Sequence, residues 1–363
     1  MSRFLLFAAL SLLCLAAPAL AQRERDFEYA MENRDYPAAE AATLFEIERV
    51  GAGDTAYDGT LQLTLASLRV LQENYAGAIE PAQRAERILG DAEAPTVRIL
   101  LARAEFGADP SAERAATLRG LLLESASRPE FAGHVHHGAI QIAEWAMREH
   151  RYSEARDAWR LAERTSEASL YGANYGRGVS LIGDAAATLY ATRPGAHNFA
   201  EIQAKFEEGL RLLDRSVPDN DSLSTGREER AYAQAVAWYR VWRAYAEPRR
   251  APPASAGLPP TGDWVEIFPV QNLPICDVEI TPRPTPRMPR DDRIDVAAAV
   301  LLMRFSEAGE VVEQRLVAVA GGDEAFADSV AEGAPHWRVE IDRQPGCFVT
   351  LVMTKAVVFR FGE

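Results

Sequence analysis

Hydrophobic and polar positions follow two different rhythms along this chain. From Gln22 to about Glu247, apolar residues recur at three- and four-residue steps, with few β-branched runs. Leu61, Leu65, Leu68 and Leu71 form one such stripe, and Ile140, Ala143, Trp145 and Met147 belong to another apolar helix. This period predicts a series of helices, each presenting one face to a core, joined by short connections. Beyond Asp295 the rhythm changes. Asp295 to Phe305, rich in Val, Leu and Ala, predicts a strand, Ser306-Glu307-Ala308-Gly309 a tight turn, and Glu310 to Val319 the hairpin partner. Gly321-Gly322-Asp323 ends that strand and caps a helix running to about Gly333, with Phe326 and Val330 on one side. Trp337-Arg338-Val339 follows, then a turn at Gln344-Pro345-Gly346 and a long strand from Cys347 to Phe361.

The fold class is therefore mixed: an N-terminal all-α helical-repeat solenoid, then a small α+β module of order strand-strand-helix-strand. Between them, from Pro248 to Pro289, lie eleven of the chain's 21 prolines. That density prevents helix and favours extended, solvated backbone. Trp264-Val265-Glu266-Ile267-Phe268 interrupts it and is apolar enough for a short strand packed on the module. The expected boundaries are 22–247 for the helices, 248–289 for the Pro-rich linker and 290–363 for the module.

The helical part repeats itself. Asp35-Tyr36-Pro37-Ala38-Ala39, Asn74-Tyr75-Ala76-Gly77-Ala78 and Arg151-Tyr152-Ser153-Glu154-Ala155 each place an alanine three residues after a tyrosine. Asn198-Phe199-Ala200-Glu201-Ile202 is a degenerate fourth copy. The tyrosines are 39 and 77 residues apart, near one and two units of a single period. Ala82 and Ala85, Trp159 and Ala162, and Phe206 and Gly209 continue three of the units. This pattern resembles the second helix of the tetratricopeptide repeat, with Thr43 and Glu46 departing from it in the Tyr36 unit. The resemblance implies stacked helical hairpins whose extended concave surface binds segments of other proteins. An irregular helical bundle is the alternative.

Gly309-x-Val311 in the hairpin, Gly322 before the helix and Trp337-x-Val339 after it resemble the C-terminal domain of the TonB family, periplasmic energy transducers that engage outer-membrane receptors. The resemblance spans roughly residues 286 to 363 and implies partner-strand addition at a sheet edge. The final strand is long and apolar, with Lys355 and Arg360 its only charges, so it is a poorly protected edge. Three strands and one helix leave one face of the sheet uncovered in this reading. An extended peptide, or a second copy of the module, is expected to pair along Val349, Leu351, Met353, Val357, Phe359 and Phe361.

An address precedes the helices. Arg3 and an apolar run from Phe4 to Leu20 lead to Ala19-Leu20-Ala21, which predicts a signal peptide over residues 1–21 with cleavage before Gln22. The alternative is an uncleaved anchor, which would suit a membrane-anchored TonB-type transducer. Export to a periplasm removes Cys14 and leaves Cys276 and Cys347, expected to form one disulfide. The 53 acidic against 39 basic side chains, a formal charge of −14, argue against nucleic acid as a partner. Envelope or outer-membrane proteins are the expected partners.

No catalytic constellation assembles. His134, His136 and His137 are the only histidine cluster, and His134 and His137 lack a third ligand at convincing spacing, so solvated imidazoles at a helix start are expected. Gly172, Gly176 and Gly178 follow no strand, which disfavours phosphate binding. Trp337 and Phe326 read as core anchors. No catalytic residue, cofactor or metal is expected, and the chain reads as a non-enzymatic adaptor.

Overall fold

A computed structural model describes residues 27–51, 53, 55–90, 94–191, 199–214, 227–246, 277–281, 284–287, 296–305, 311–342 and 352–360. The chain divides into two compact units, Met1–Gln141 and Ile142–Glu363. The first is helical throughout its described residues. A short helix at 27–32 (α1) leads into α2 (Tyr36–Val50), α3 (Ala56–Leu71), α4 (Tyr75–Leu89), α5 (Ala94–Ala108), α6 (Ala112–Ser125) and the start of α7 (Ala132–Arg148). From α2 to α6 each helix packs on the next, and α3 also reaches α5.

The second unit continues with α8 (Tyr152–Arg164), α9 (Ala173–Ala191), α10 (Phe199–Asp214) and α11 (Arg227–Ala246), again packed consecutively from α8. Among the described residues five strands and one α-helix follow: β1 (Asp277–Thr281), β2 (Val296–Phe305), β3 (Val311–Ala320), α12 (Glu324–Gly333), β4 (Arg338–Asp342) and β5 (Val352–Arg360). The mixed fold class is as the periodicity predicted.

The repeat is built into the turns. Tyr36, Tyr75, Tyr152 and Phe199 each open a helix, α2, α4, α8 and α10. Before the three tyrosines, Arg34, Glu73 and His150 adopt the same left-handed conformation, with φ of 57°, 60° and 58°. The amides of Asp35, Asn74 and Arg151 then donate to the carbonyls of Ala30, Arg69 and Ala146, each at 2.8 Å. This six-to-one bond closes the preceding helix and turns the chain sharply into the next. A side-chain cap secures two of the new helices: Asp35 accepts from the Ala38 amide and Asn74 from the Gly77 amide.

Small residues then let the helices approach. Ala39, Ala78 and Ala155 are fully buried, and Ile202 takes the same place in α10. The aromatic residues rest on glycines: a Cβ on Gly107 of α5 would come within 2.3 Å of the Tyr75 ring, and one on Gly183 of α9 within 2.2 Å of the Trp159 indole. Gly178, one of the three glycines weighed as a phosphate loop, is instead a contact of α9 with Gly209 and Leu213 of α10.

The C-terminal strands form a three-stranded antiparallel sheet of order β3-β2-β5 and a two-stranded ladder of β1 and β4. Val296 pairs with Arg360 and Arg304 with Val352, so β2 is central and β5 lies at an edge. Asp323 caps α12, accepting the Phe326 amide at 2.9 Å. Gly321, at φ +73°, has no room for a side chain, because a Cβ there would sit 2.5 Å from the Val296 carbonyl.

Both faces of this sheet are covered, which corrects the expectation of one open face. Ala297, Ala299, Leu301 and Met303 pack with Phe326, Val330, Trp337 and Phe359 on the α12 side. Val296, Ala298, Val300, Ala318, Ala320 and Ala356 point the other way, into a core with Tyr232, Val236, Tyr239 and Trp242 of α11 and with residues of α9 and α10. Alternate residues of a strand face opposite sides, and β2 is apolar on both, so two covers are needed.

Part of the Pro-rich stretch is tied to the module. β1 pairs with β4 from Asp277↔Asp342 to Thr281↔Arg338. Trp337 Nε1 donates to the Pro284 carbonyl at 3.3 Å, and the Arg287 amide to Ser329 Oγ at 2.8 Å. The sequence expectation had placed this role on Trp264–Phe268, which lies outside the described residues.

Candidate functional site

Two regions carry features that packing alone does not account for. The first is the β5 edge. Among the described residues β5 pairs with β2 only, and its opposite edge carries no strand. Of the residues expected there, Val349, Leu351 and Phe361 lie outside the described residues, as do Cys276 and Cys347, while Met353 pairs with Met303 of β2. Phe359 is buried, edge-on to Phe326 with ring centroids 5.4 Å apart and 5.8 Å from Trp337. Val357 packs against the same cluster. Their side chains hold the module together, so any partner strand meets the main chain of β5. Val358 is an exposed apolar side chain of the strand. Phe326 and Trp337 are core anchors, as expected.

The second region joins α5 and α7 within the first unit. His134, Gly138 and Gln141 are spaced four and three apart and so share one face of α7. That face meets Arg103 of α5. Gln141 Nε2 donates to the Arg103 carbonyl at 3.0 Å, and a Cβ on Gly138 would lie 3.5 Å from the Arg103 side chain. Arg103 is only 8% exposed, and its Nε is buried without a hydrogen-bond partner; so is Gln141 Oε1. Burial lowers the guanidinium to about 10, partly offset by the Tyr75 phenol, which leaves it charged at pH 7, and among the described residues no carboxylate acts on it. Burial, and then repulsion by Arg103, push the His134 imidazole down to about 4. His136 is fully buried. The histidines are therefore not a solvated helix start, because α7 turns this side inward. Among the described residues no group of three potential metal ligands occurs.

Other buried charges are paired. Asp58 of α3 meets Arg84 of α4 at 2.7 Å and Gln62 at 3.2 Å. Asp184 of α9 meets Lys205 of α10 at 2.6 Å and Arg160 of α8 at 3.4 Å. These ion pairs cross between neighbouring helices, and against them the bare Arg103 stands out. Sequence reasoning missed it, although an arginine inside Ile99-Leu100-Leu101-Ala102-Arg103-Ala104 breaks an apolar run.

No helix among the described residues is long and apolar enough to cross a membrane. No protein-family model matches the chain, and no curated protein matches it.

Proposed function

We propose that this protein is a non-enzymatic adaptor of the cell envelope, binding other proteins through tetratricopeptide-like helical hairpins and a TonB-C-like module. The observation that carries the reading is the turn repeated before Tyr36, Tyr75 and Tyr152, with the same left-handed residue and the same 2.8 Å closing bond. Helical hairpins that each bury an apolar face on a neighbour form stacks, and stacks of that kind present extended surfaces suited to peptide segments. The strand order β3-β2-β5 supports the second half of the reading, since the last strand is left at an edge. The apolar run from Phe4 to Leu20 and the Ala19-Leu20-Ala21 site support export to the periplasm.

The test is capture from an envelope extract with the full chain. A retained outer-membrane or periplasmic protein, lost when Val357→Pro or Val358→Pro is introduced, supports an adaptor that uses the β5 edge. Capture unaffected by both substitutions leaves the helical hairpins as the binding surface. No specific capture by the wild-type chain overturns the reading. N-terminal sequencing of the exported protein checks the address, with a start at Gln22 expected.

A further inference from the structure

We propose that the α5–α7 face around Arg103 is a binding site for a carboxylate, held by the Arg103 guanidinium beside His134 and Gln141. A buried cation without a counter-ion is a costly arrangement, and proteins resolve it by pairing or by a bound ligand. Among the described residues no carboxylate pairs with Arg103. Among the described residues its Nε has no acceptor, and the titratable group that acts on it is the Tyr75 phenol rather than a carboxylate. The other described buried ion pairs, at Asp58 and Asp184, show that this chain supplies a partner charge where the role is structural.

The surroundings select the ligand class. A guanidinium presents planar, forked donors that match the two oxygens of a carboxylate. There is one positive charge to balance, since His134 is held neutral by burial and by Arg103 itself. A monoanion balances it; a phosphate dianion leaves a second negative charge in a site with no other cation among its named groups. Gln141 Oε1 adds an unsatisfied acceptor at the same face, which suits a ligand that carries an N–H close to its carboxylate. Gly138 packs against Leu122 of α6, which a Cβ would meet at 3.0 Å, and it reaches the arginine stem at ordinary contact distance. The carboxylate source is either a small acid or a peptide terminus, and the proposal stands whether or not the chain is an adaptor.

The full chain, labelled with 15N, is titrated with sodium acetate, with N-acetyl-Ala-Leu bearing a free C-terminal carboxylate, with its C-terminal amide, and with sodium phosphate. Sodium chloride at matched ionic strength is the reference. The readouts are the Arg103 Nε–Hε resonance, identified by its loss in Arg103→Lys, and the thermal midpoint. Acetate and the free-acid peptide are expected to shift that resonance saturably and raise the midpoint, and the amide and chloride to do neither. Losing a charge-assisted hydrogen bond in Arg103→Met is expected to weaken binding by about 10- to 100-fold. Arg103→Lys, which keeps the charge without the fork, should bind more weakly than wild type. A free-acid peptide binding tighter than acetate by tenfold or more identifies a peptide terminus; equal binding identifies a small acid. Acetate and peptide acting no differently from chloride, phosphate binding alone, or Arg103→Met binding like wild type would each overturn the proposal. The wild-type titration decides the matter even if a variant fails to fold.

Discussion

His134 should make the stability of the helical unit fall steeply on mild acidification. Its imidazole lies at about 4 in the folded chain against an ordinary 6.5, first through burial and then through the charge on Arg103. Between those values the unfolded chain binds the proton and the folded chain does not. Stability is therefore full above about pH 6.5, declines as the pH falls towards 4, and has lost the whole contribution below that. The difference of the two values corresponds to about 3 kcal/mol, an order-of-magnitude figure for one side chain. The perturbation is His134→Gln, which keeps a polar side chain that does not titrate. Urea denaturation of both proteins at pH 7, 6, 5 and 4 gives the stability difference, and carboxylates common to both cancel from its slope. Wild type should lose about 3 kcal/mol relative to the variant across this range. Arg103→Met should shrink the loss, because it removes the repulsive part. A difference that stays constant from pH 7 to 4 would refute a buried, neutral His134.

Four further outcomes follow from the packing. Lys205→Met leaves Asp184 buried with only its 3.4 Å contact to Arg160 as a cationic partner, and should cost about 3–5 kcal/mol by urea denaturation. The double variant Asp184→Leu/Lys205→Met should recover most of that. Gly183→Ala drives a Cβ to 2.2 Å from Trp159 and should cost about 1–3 kcal/mol, partly relieved by Trp159→Leu. Phe326→Ala empties the fully buried centre of the α12 face and should cost about 3–5 kcal/mol, read as a lowered thermal midpoint. Cys276 precedes β1 and Cys347 follows β4, and Asp277↔Asp342 pairing brings those strand ends together. Alkylation of unfolded, non-reduced exported protein should therefore find both thiols protected, and two free thiols would exclude the bridge.

Local signals along the chain carried the openings of α2, α4, α8 and α10 and the three strands of the β3-β2-β5 sheet with α12, because each depends on a few neighbouring residues, although β4 was not read as a strand. Asp35, Asn74 and Asp323 are capping residues that mark their helices in any context. The turns themselves were less legible, since Arg34, Glu73 and His150 sit where glycine is preferred, and no residue type announced the left-handed backbone. β1 was missed for a different reason. Asp277-Val278-Glu279-Ile280-Thr281 alternates as a strand does, but it is short and hidden among prolines. The second cover of the sheet was beyond local reading, because it depends on α11 returning to β2 and β3. A sign was nevertheless present: Tyr232, Tyr239 and Trp242 share one face of α11 while Ala233, Ala237 and Val241 line the opposite one, and a helix apolar on several faces is one buried between layers. The Arg103 site escaped because its significance lies in the partner it lacks, which only the packed structure displays.

The two covers of the sheet also decide how the module can meet another molecule. With α12 on one face and α11 on the other, the side chains of β2 are committed to cores on both sides. A partner approaching either face would have to displace a helix and expose residues such as Phe326 or Val300, both fully buried. An edge demands no such displacement. Along β5, Phe359 and Ala356 are spent inward on opposite faces, so an incoming strand adds main-chain bonds without disturbing either cluster. The edge is not isolated from the helices, because α11 packs on β5 as well as on β2 and β3. Extending the sheet by one strand would thus bear on the same helix that closes the α9–α10 core, within one compact unit. On the proposed adaptor reading, the β5 edge and the α9–α10 helices are joined through shared packing, and α11 is the element common to both.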